Sequence, residues 1–297
     1  MALKPVLVVT ADPHRPTYHL TPPSGWMNDP CGLIHHAGQW HLFYQYNPSM
    51  AVWGNIHWGH AVSSDLVTWT HLDPALKPDP QHGMIFTGSA VLDANNTSGL
   101  CHGKDGCLVA AYTHALGKTG KEMQSIAASN DGGKTWSPYK SNPVLPNPGI
   151  KDFRDPRVLW HGPSSQWVMV LAAGDRAPIY TSTDLKSWKK AGAFGPITGL
   201  PRDAVWECPE LFTLPTPDGK GERWVFKIDL NMGFGKGGSH GRYWLGSFDG
   251  AAFSVNGAAS GARLDGGEDF YAAQTFSNTS GGRRVWIGWM GSWQYSL

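Results

Sequence analysis

A turn that recurs along the chain limits what it can fold into. The segments Ser64-Asp65-Leu66-Val67-Thr68-Trp69, Asn130-Asp131-Gly132-Gly133-Lys134-Thr135-Trp136, Thr183-Asp184-Leu185-Lys186-Ser187-Trp188 and Phe248-Asp249-Gly250-Ala251-Ala252-Phe253 are each led by an Asp and end in an aromatic residue. Their Asp positions lie 66, 53 and 65 residues apart. One such turn is ordinary hairpin chemistry in any β protein. Four in register, about sixty residues apart, match one four-stranded propeller blade apiece. A second series is interleaved with the first: Asp29, Thr87, Asp155, Glu207 and Tyr271, at intervals of 58, 68, 52 and 64 residues. Each stands beside a strand that would open a new unit. The first strands of propeller blades line the central channel, so these five stretches are expected to converge on one axial pocket.

The expectation is therefore an all-β, five-bladed propeller. Alternating runs such as Gln39–Tyr46, Gln166–Leu171 and Arg223–Ile228 read as hairpin strands. The composition agrees: 37 Gly, 22 Pro and 15 Trp, with only 16% charged residues, suit many short strands joined by tight loops. The fifth unit reads as incomplete. After Tyr271 and Arg284-Val285-Trp286-Ile287-Gly288-Trp289 the sequence reaches Leu297, which leaves room for a first pair of strands but not an outer pair. Residues 1–17 read as a lead-in and 18–297 as one catalytic propeller domain.

Charge narrows the partners. A formal net charge of +1, with Lys and Arg scattered rather than clustered, argues against nucleic acid and anionic membrane. No apolar stretch reaches the length of a membrane span, and Pro5 interrupts the short apolar run at the start without a signal-cleavage pattern after it. Of the cysteines at 31, 101, 107 and 208, Cys101 and Cys107 bracket a turn-rich loop that could close as a disulfide in an oxidising compartment. Metal-ligand spacing is absent, and neither a metal nor a cofactor is expected. His57 and His60 fall on opposite faces of a strand, and Glu210 reads as a structural carboxylate. Cys208 reads as a small buried filler, because no partnering base can be named. The run from Gly233 to Gly238 fits a dinucleotide-binding pattern, but no helix follows and a hairpin loop is expected. Asn95-Asn96-Thr97 and Asn278-Thr279-Ser280 are glycosylation sequons, informative only in a secretory eukaryote.

Three acids stand in distinctive company: Asp29 in Trp26-Met27-Asn28-Asp29-Pro30, Asp155 in Arg154-Asp155-Pro156, and Glu207 in Trp206-Glu207-Cys208-Pro209. Cleaving a glycosidic bond with retention needs a carboxylate nucleophile and a carboxylic acid about 5 Å apart across the anomeric carbon. Burial and shared charge are expected to keep Glu207 protonated while Asp29 stays ionised. Arg154 is expected to hold its neighbour Asp155 as a carboxylate, suited to ring hydroxyls.

These motifs, in this order, resemble the family 32 glycoside hydrolases, the invertase, inulinase and levanase group. Phe43-Tyr44-Gln45-Tyr46-Asn47-Pro48, Trp53-Gly54-Asn55, Trp58-Gly59-His60, Phe86-Thr87-Gly88-Ser89, Asp269-Phe270-Tyr271-Ala272-Ala273-Gln274 and Gly288-Trp289-Met290 add to the resemblance, which runs from about Tyr18 onward. It implies a five-bladed propeller, usually followed by a β-sandwich, which is not expected within these 297 residues. It implies Asp29 as the nucleophile, Glu207 as acid and then base, and Asp155 as the transition-state stabiliser acting with Arg154. Asn28, Gln45, Thr87 and Tyr271 would form the polar wall of the pocket, and Trp53, Phe86 and Trp289 the apolar wall. The implied substrate is a fructan or sucrose, which favours an extracellular or periplasmic location. One departure concerns the nucleophile: the family commonly has Asn after the first Pro, where this chain has Cys31, so the bonding behind Asp29 is expected to differ. The Trp53 and Tyr271 stretches look most like exo-acting fructanases, with sucrose-specific invertases close behind. Two alternatives stay open: a propeller glycosidase acting on arabinose or xylose polymers, and a carbohydrate-binding propeller without catalysis.

Overall fold

The computed structural model describes residues 13–201, 203–232 and 239–296. They form an all-β propeller. The first blade is β1 (Trp26–His36), β2 (Gln39–Asn47), β3 (His57–Ser63) and β4 (Thr70–Leu76), hydrogen-bonded in that order. The second is β5 (Met84–Asp93), β6 (Cys107–Leu116), β7 (Lys121–Ser129) and β8 (Ser137–Pro138). The third is β9 (Phe153–His161), β10 (Gln166–Ala173), β11 (Ala177–Ser182) and β12 (Lys189–Phe194). The fourth is β13 (Val205–Pro215), β14 (Glu222–Asn231), β15 (His240–Phe248) and β16 (Phe253–Val255), with β17 (Ala262–Arg263) also pairing β15. A two-stranded sheet, β18 (Tyr271–Thr275) and β19 (Trp286–Trp289), completes the described strands. Among the described residues the propeller thus has four blades, where five, the fifth incomplete, were expected.

The ring closes through the innermost strands: β1 packs on β5, β5 on β9, β9 on β13, β13 on β18, and β18 back on β1. A backbone clasp seals the last contact, His35 donating to the Ser277 carbonyl and Ser277 to that of Leu33. The first two strands of each blade are mostly buried and the outermost is the least covered, β6 and β10 being almost wholly buried while β8 and most of β12 are exposed. Apolar packing sits between neighbouring blades. Phe43 and Trp58 of the first blade meet Tyr112 of the second, and Val168 and Ile179 of the third meet Trp206 and Trp244 of the fourth. Large side chains are suited to filling such wedge-shaped gaps, because each buries much area for little lost rotamer freedom.

The four Asp-led turns all join the third strand of a blade to the fourth. In the first, Asp65 Oδ1 accepts the backbone N–H groups of Val67 and Thr68 and the hydroxyl of Ser63. Asp131, Asp184 and Asp249 likewise each accept two backbone N–H groups of their own turns. These bonds hold the Asp65 carboxyl down at about 2. Cys101 and Cys107 are joined as a disulfide. Glu210 is buried against Arg157 and Thr275, and His60 is buried against His41 while His57 faces the other way to the Asn55 carbonyl. The glycine-rich run 233–238 and residues 1–12 of the lead-in lie outside the described residues.

Candidate active site

Every innermost strand breaks its pairing register at the same level, near one end of the channel. The irregularities fall between Met27 and Pro30, Ile85 and Gly88, Arg154 and Arg157, Glu207 and Glu210, and Tyr271 and Gln274. Such bulges re-aim a side chain that a regular strand would keep within the blade-to-blade packing. The sequence imposes them. Pro30, Pro156 and Pro209 cannot donate to the ladder, and Asp155, Cys208 and Ala272 take left-handed backbone at φ 62°, 46° and 52°. Gly88 has no alternative, since a Cβ there would lie 2.0 Å from the Ala111 carbonyl oxygen.

Asp29, Asp155 and Glu207 consequently line one cavity of about 640 Å³, with Asn28, Gln45, Trp53, Phe86 and Arg154. Asp29 accepts hydrogen bonds from Asn28 Nδ2 at 3.0 Å, Gln45 Nε2 at 3.2 Å and Thr87 Oγ1 at 2.9 Å. Gln45 and Thr87 are also bonded to each other, and Trp26 Nε1 fixes the Asn28 amide from behind at 2.7 Å. The Cys208 thiol lies 3.6 Å from carboxylate oxygens of both Asp29 and Asp155, while the Cys208 N–H donates to Asp155 at 2.9 Å. Cys31 is buried in the packing with Phe43 and Trp58, and burial first, then the nearby charges of Asp29 and Asp155, push its thiol up. Glu207 accepts from Arg154 Nη2 at 2.9 Å, Asn231 Nδ2 at 3.1 Å and the Tyr271 hydroxyl at 2.5 Å.

Two electrostatic expectations need correction. Arg154 does not hold Asp155: its guanidinium reaches Glu207 on the next blade, Glu122 at 2.9 Å and Asp152 at 3.0 Å. The left-handed residue that follows it turns the two neighbouring side chains apart. Nor are Asp29 and Asp155 held as easy carboxylates. Burial first, and then the Glu207 charge, push the Asp29 carboxyl up, against the bonds from Asn28, Thr87 and Cys208. Burial pushes Asp155 up to about 8; Arg154 opposes this, and Glu207 and Asp29 add to it. Three acids in one dry pocket cannot all ionise without penalty.

The apolar wall also differs from expectation. Trp53 and Phe86 stand together, ring centroids 6.0 Å apart, and line the cavity. Trp289 lines a neighbouring cavity of about 580 Å³. Its ring packs 4.9 Å from that of Trp293, which is the one facing the acids. Thr87 and Tyr271 are fully buried and act on the pocket through Asp29 and Glu207. Glu122, Asn231, Met84 and Trp293 line the cavity without having been singled out in the sequence. No motif marks the first three, and Trp293 is one tryptophan among 15.

The sequence matches the model of the glycosyl hydrolases family 32 N-terminal domain over residues 19–297. It is 52% identical over 287 residues to a levanase of Bacillus subtilis (strain 168), covering 95% of this chain and 42% of that protein. It is 44% identical over 317 residues to an extracellular exo-inulinase of Aspergillus niger, covering 95% of this chain and 58% of that one. The crystal structure of exo-inulinase from Aspergillus awamori superposes with a TM-score of 0.86 at 42% identity, covering 94% of this chain and 60% of that chain. The chain spans about half the length of these curated relatives.

Proposed function

We propose, since the chain belongs to glycosyl hydrolases family 32, that it is a retaining β-fructofuranosidase releasing terminal β-D-fructosyl residues from fructans or sucrose. The observation that carries this reading is the meeting of Asp29, Asp155 and Glu207 around one cavity with aromatic faces on its wall. Aromatic rings suit the C–H surface of a sugar, and fixed polar groups choose among hydroxyl orientations.

In this reading Asp29 attacks the anomeric carbon as the bond to the leaving oxygen breaks, and Glu207 gives that oxygen its proton. A covalent fructosyl-enzyme results. Glu207 then takes a proton from water, whose oxygen attacks the same carbon and frees Asp29. Asn28, Gln45 and Thr87 stabilise the Asp29 carboxylate against its burial, the work a nucleophile needs done at neutral pH. Asp155 bonds fructose hydroxyls, and Arg154 orients Glu207 while bonding the sugar rim. The β18–β19 pair is read as the inner half of a fifth blade, because β18 occupies the fifth place in the ring of innermost strands. Product analysis on sucrose, inulin and levan tests the reading. Free fructose is expected from at least one of them; release of arabinose from arabinan without any fructose would sink it.

A further inference from the structure

Behind Glu207 lies a charge that the mechanism does not use. Lys227, on β14 opposite Glu210, is fully buried, and its ammonium donates to Asp229 Oδ2 at 2.5 Å, the Cys208 carbonyl at 3.2 Å and the Ala273 carbonyl at 2.8 Å. Its three protons are thus matched by three acceptors. Burying an ion pair rarely gains stability over an apolar pair of the same volume, so the two carbonyls are the informative partners.

Both carbonyls belong to bulges. Cys208 lies in the register break of β13 between Glu207 and Glu210, and Ala273 in that of β18 between Tyr271 and Gln274. A bulge leaves its residue outside the sheet ladder, and a buried carbonyl without a donor is expensive. One ammonium answers both. The first bulge delivers Glu207 to the cavity and the second delivers Tyr271, whose hydroxyl donates to Glu207 Oε2. The same Cys208 gives its N–H to Asp155. Room for the device is kept by Gly241, where a Cβ would lie 2.9 Å from Asp229 Oδ1.

We propose that Lys227 is a positioning residue for Glu207: by clamping the Cys208 and Ala273 carbonyls it locks two bulges together and so fixes the Tyr271–Glu207 hydrogen bond that aims the acid at the leaving oxygen. The inference rests on the hydrolase reading of the cavity. Without the clamp, the bulges relax and Glu207 loses its aim; Asp155 feels the change only through its bond from the Cys208 N–H, and Asn28, Gln45 and Trp53 on the other side of the cavity are untouched.

The test uses K227M/D229L, which removes both charges at similar volume, and D229N. In D229N even a neutral lysine amine keeps two N–H groups for the two carbonyls. Two substrates are compared: sucrose, whose leaving group needs a proton, and a nitrophenyl β-fructofuranoside, whose leaving group does not. For K227M/D229L, kcat/KM on sucrose is expected to fall about 10- to 100-fold, and kcat/KM on the nitrophenyl compound, which reports the first step alone and so not the later use of Glu207 as a base, by less than about threefold. D229N should keep the wild-type ratio of the two. Equal losses on both substrates in K227M/D229L, or a D229N ratio as disturbed as that of the double variant, would overturn the proposal.

Amide hydrogen exchange over 205–211 and 271–275 reads the clamp without catalysis. It should quicken in K227M/D229L and stay unchanged in D229N; unchanged exchange in the double variant refutes the clamp. If K227M/D229L does not fold, K227Q/D229N takes its place, with one carbonyl still within reach of a donor and an intermediate loss on sucrose expected. A wild type that releases no fructose from either compound sinks the hydrolase reading, and the positioning role with it, whereas exchange still decides whether the clamp exists.

Discussion

Replacing Asp155 by Asn should make the protein more stable and nearly inactive. Asp155 is 4% exposed and sits in left-handed backbone, where Asn is well tolerated. Burial raises its proton affinity to about 8 from the ordinary 3.8, with Arg154 opposing and Glu207 and Asp29 adding to the rise. The folded chain therefore keeps a proton that the unfolded chain releases between roughly pH 4 and pH 8. With more protons on the folded state, stability declines as pH rises through that window, and the penalty is complete above it. At pH 7 the gap of about three pH units sets an upper bound of roughly 4 kcal/mol at 1.36 kcal/mol per unit. Relaxation of the pocket and sharing of charge among three acids reduce this to about 2 kcal/mol. An imperfectly bonded amide takes back about 1 kcal/mol of it. The net gain of about 1 kcal/mol corresponds to a Tm higher by about 2–4 °C. Thermal melts of both proteins at pH 4.5, 6 and 7.5 check this. The advantage of D155N should be absent at pH 4.5 and grow with pH, while fructose release falls by about 10³-fold or more. A variant less stable than wild type at pH 7.5, or a gain independent of pH, would refute the electrostatic account.

Asp29→Ala should lower fructose release by about 10⁴-fold or more with an unchanged circular dichroism spectrum, since it removes the proposed nucleophile but no core packing. Glu207→Gln should lower kcat/KM for sucrose at least about 100-fold more than kcat/KM for a nitrophenyl fructoside, measured side by side from initial rates at low substrate, where only the first step counts. Trp293→Ala should raise KM about tenfold with kcat nearly constant, because its ring borders the cavity without touching the acids. Replacing Cys101 and Cys107 by Ser opens a link between residues six apart, and chain entropy then predicts a loss of about 2 kcal/mol in urea unfolding.

What could be read from the sequence follows from how locally each feature is determined. The Asp-led turns were legible because their geometry is made within four residues: Asp65 bonds to Val67 and Thr68, and nothing distant is required. The three acids were legible because each bulge announces itself, Pro30, Pro156 and Pro209 being residues a regular inner strand would reject. The partner of Arg154 was not legible. Adjacency suggested Asp155, but the φ of 62° at Asp155 separates the two side chains and hands the guanidinium to Glu207, 53 positions away. Nor does the sequence distinguish Trp289 from Trp293, since which ring faces the acids depends on how the last described turn crosses the end of β19. Lys227 was the least visible. Within Arg223–Ile228 it reads as one more polar residue of an alternating strand, and its acceptors come into being only when two other strands bulge toward it. Residues that answer a local geometry can be found by motif, whereas those that answer geometry created elsewhere in the ring emerge only when the ring has closed.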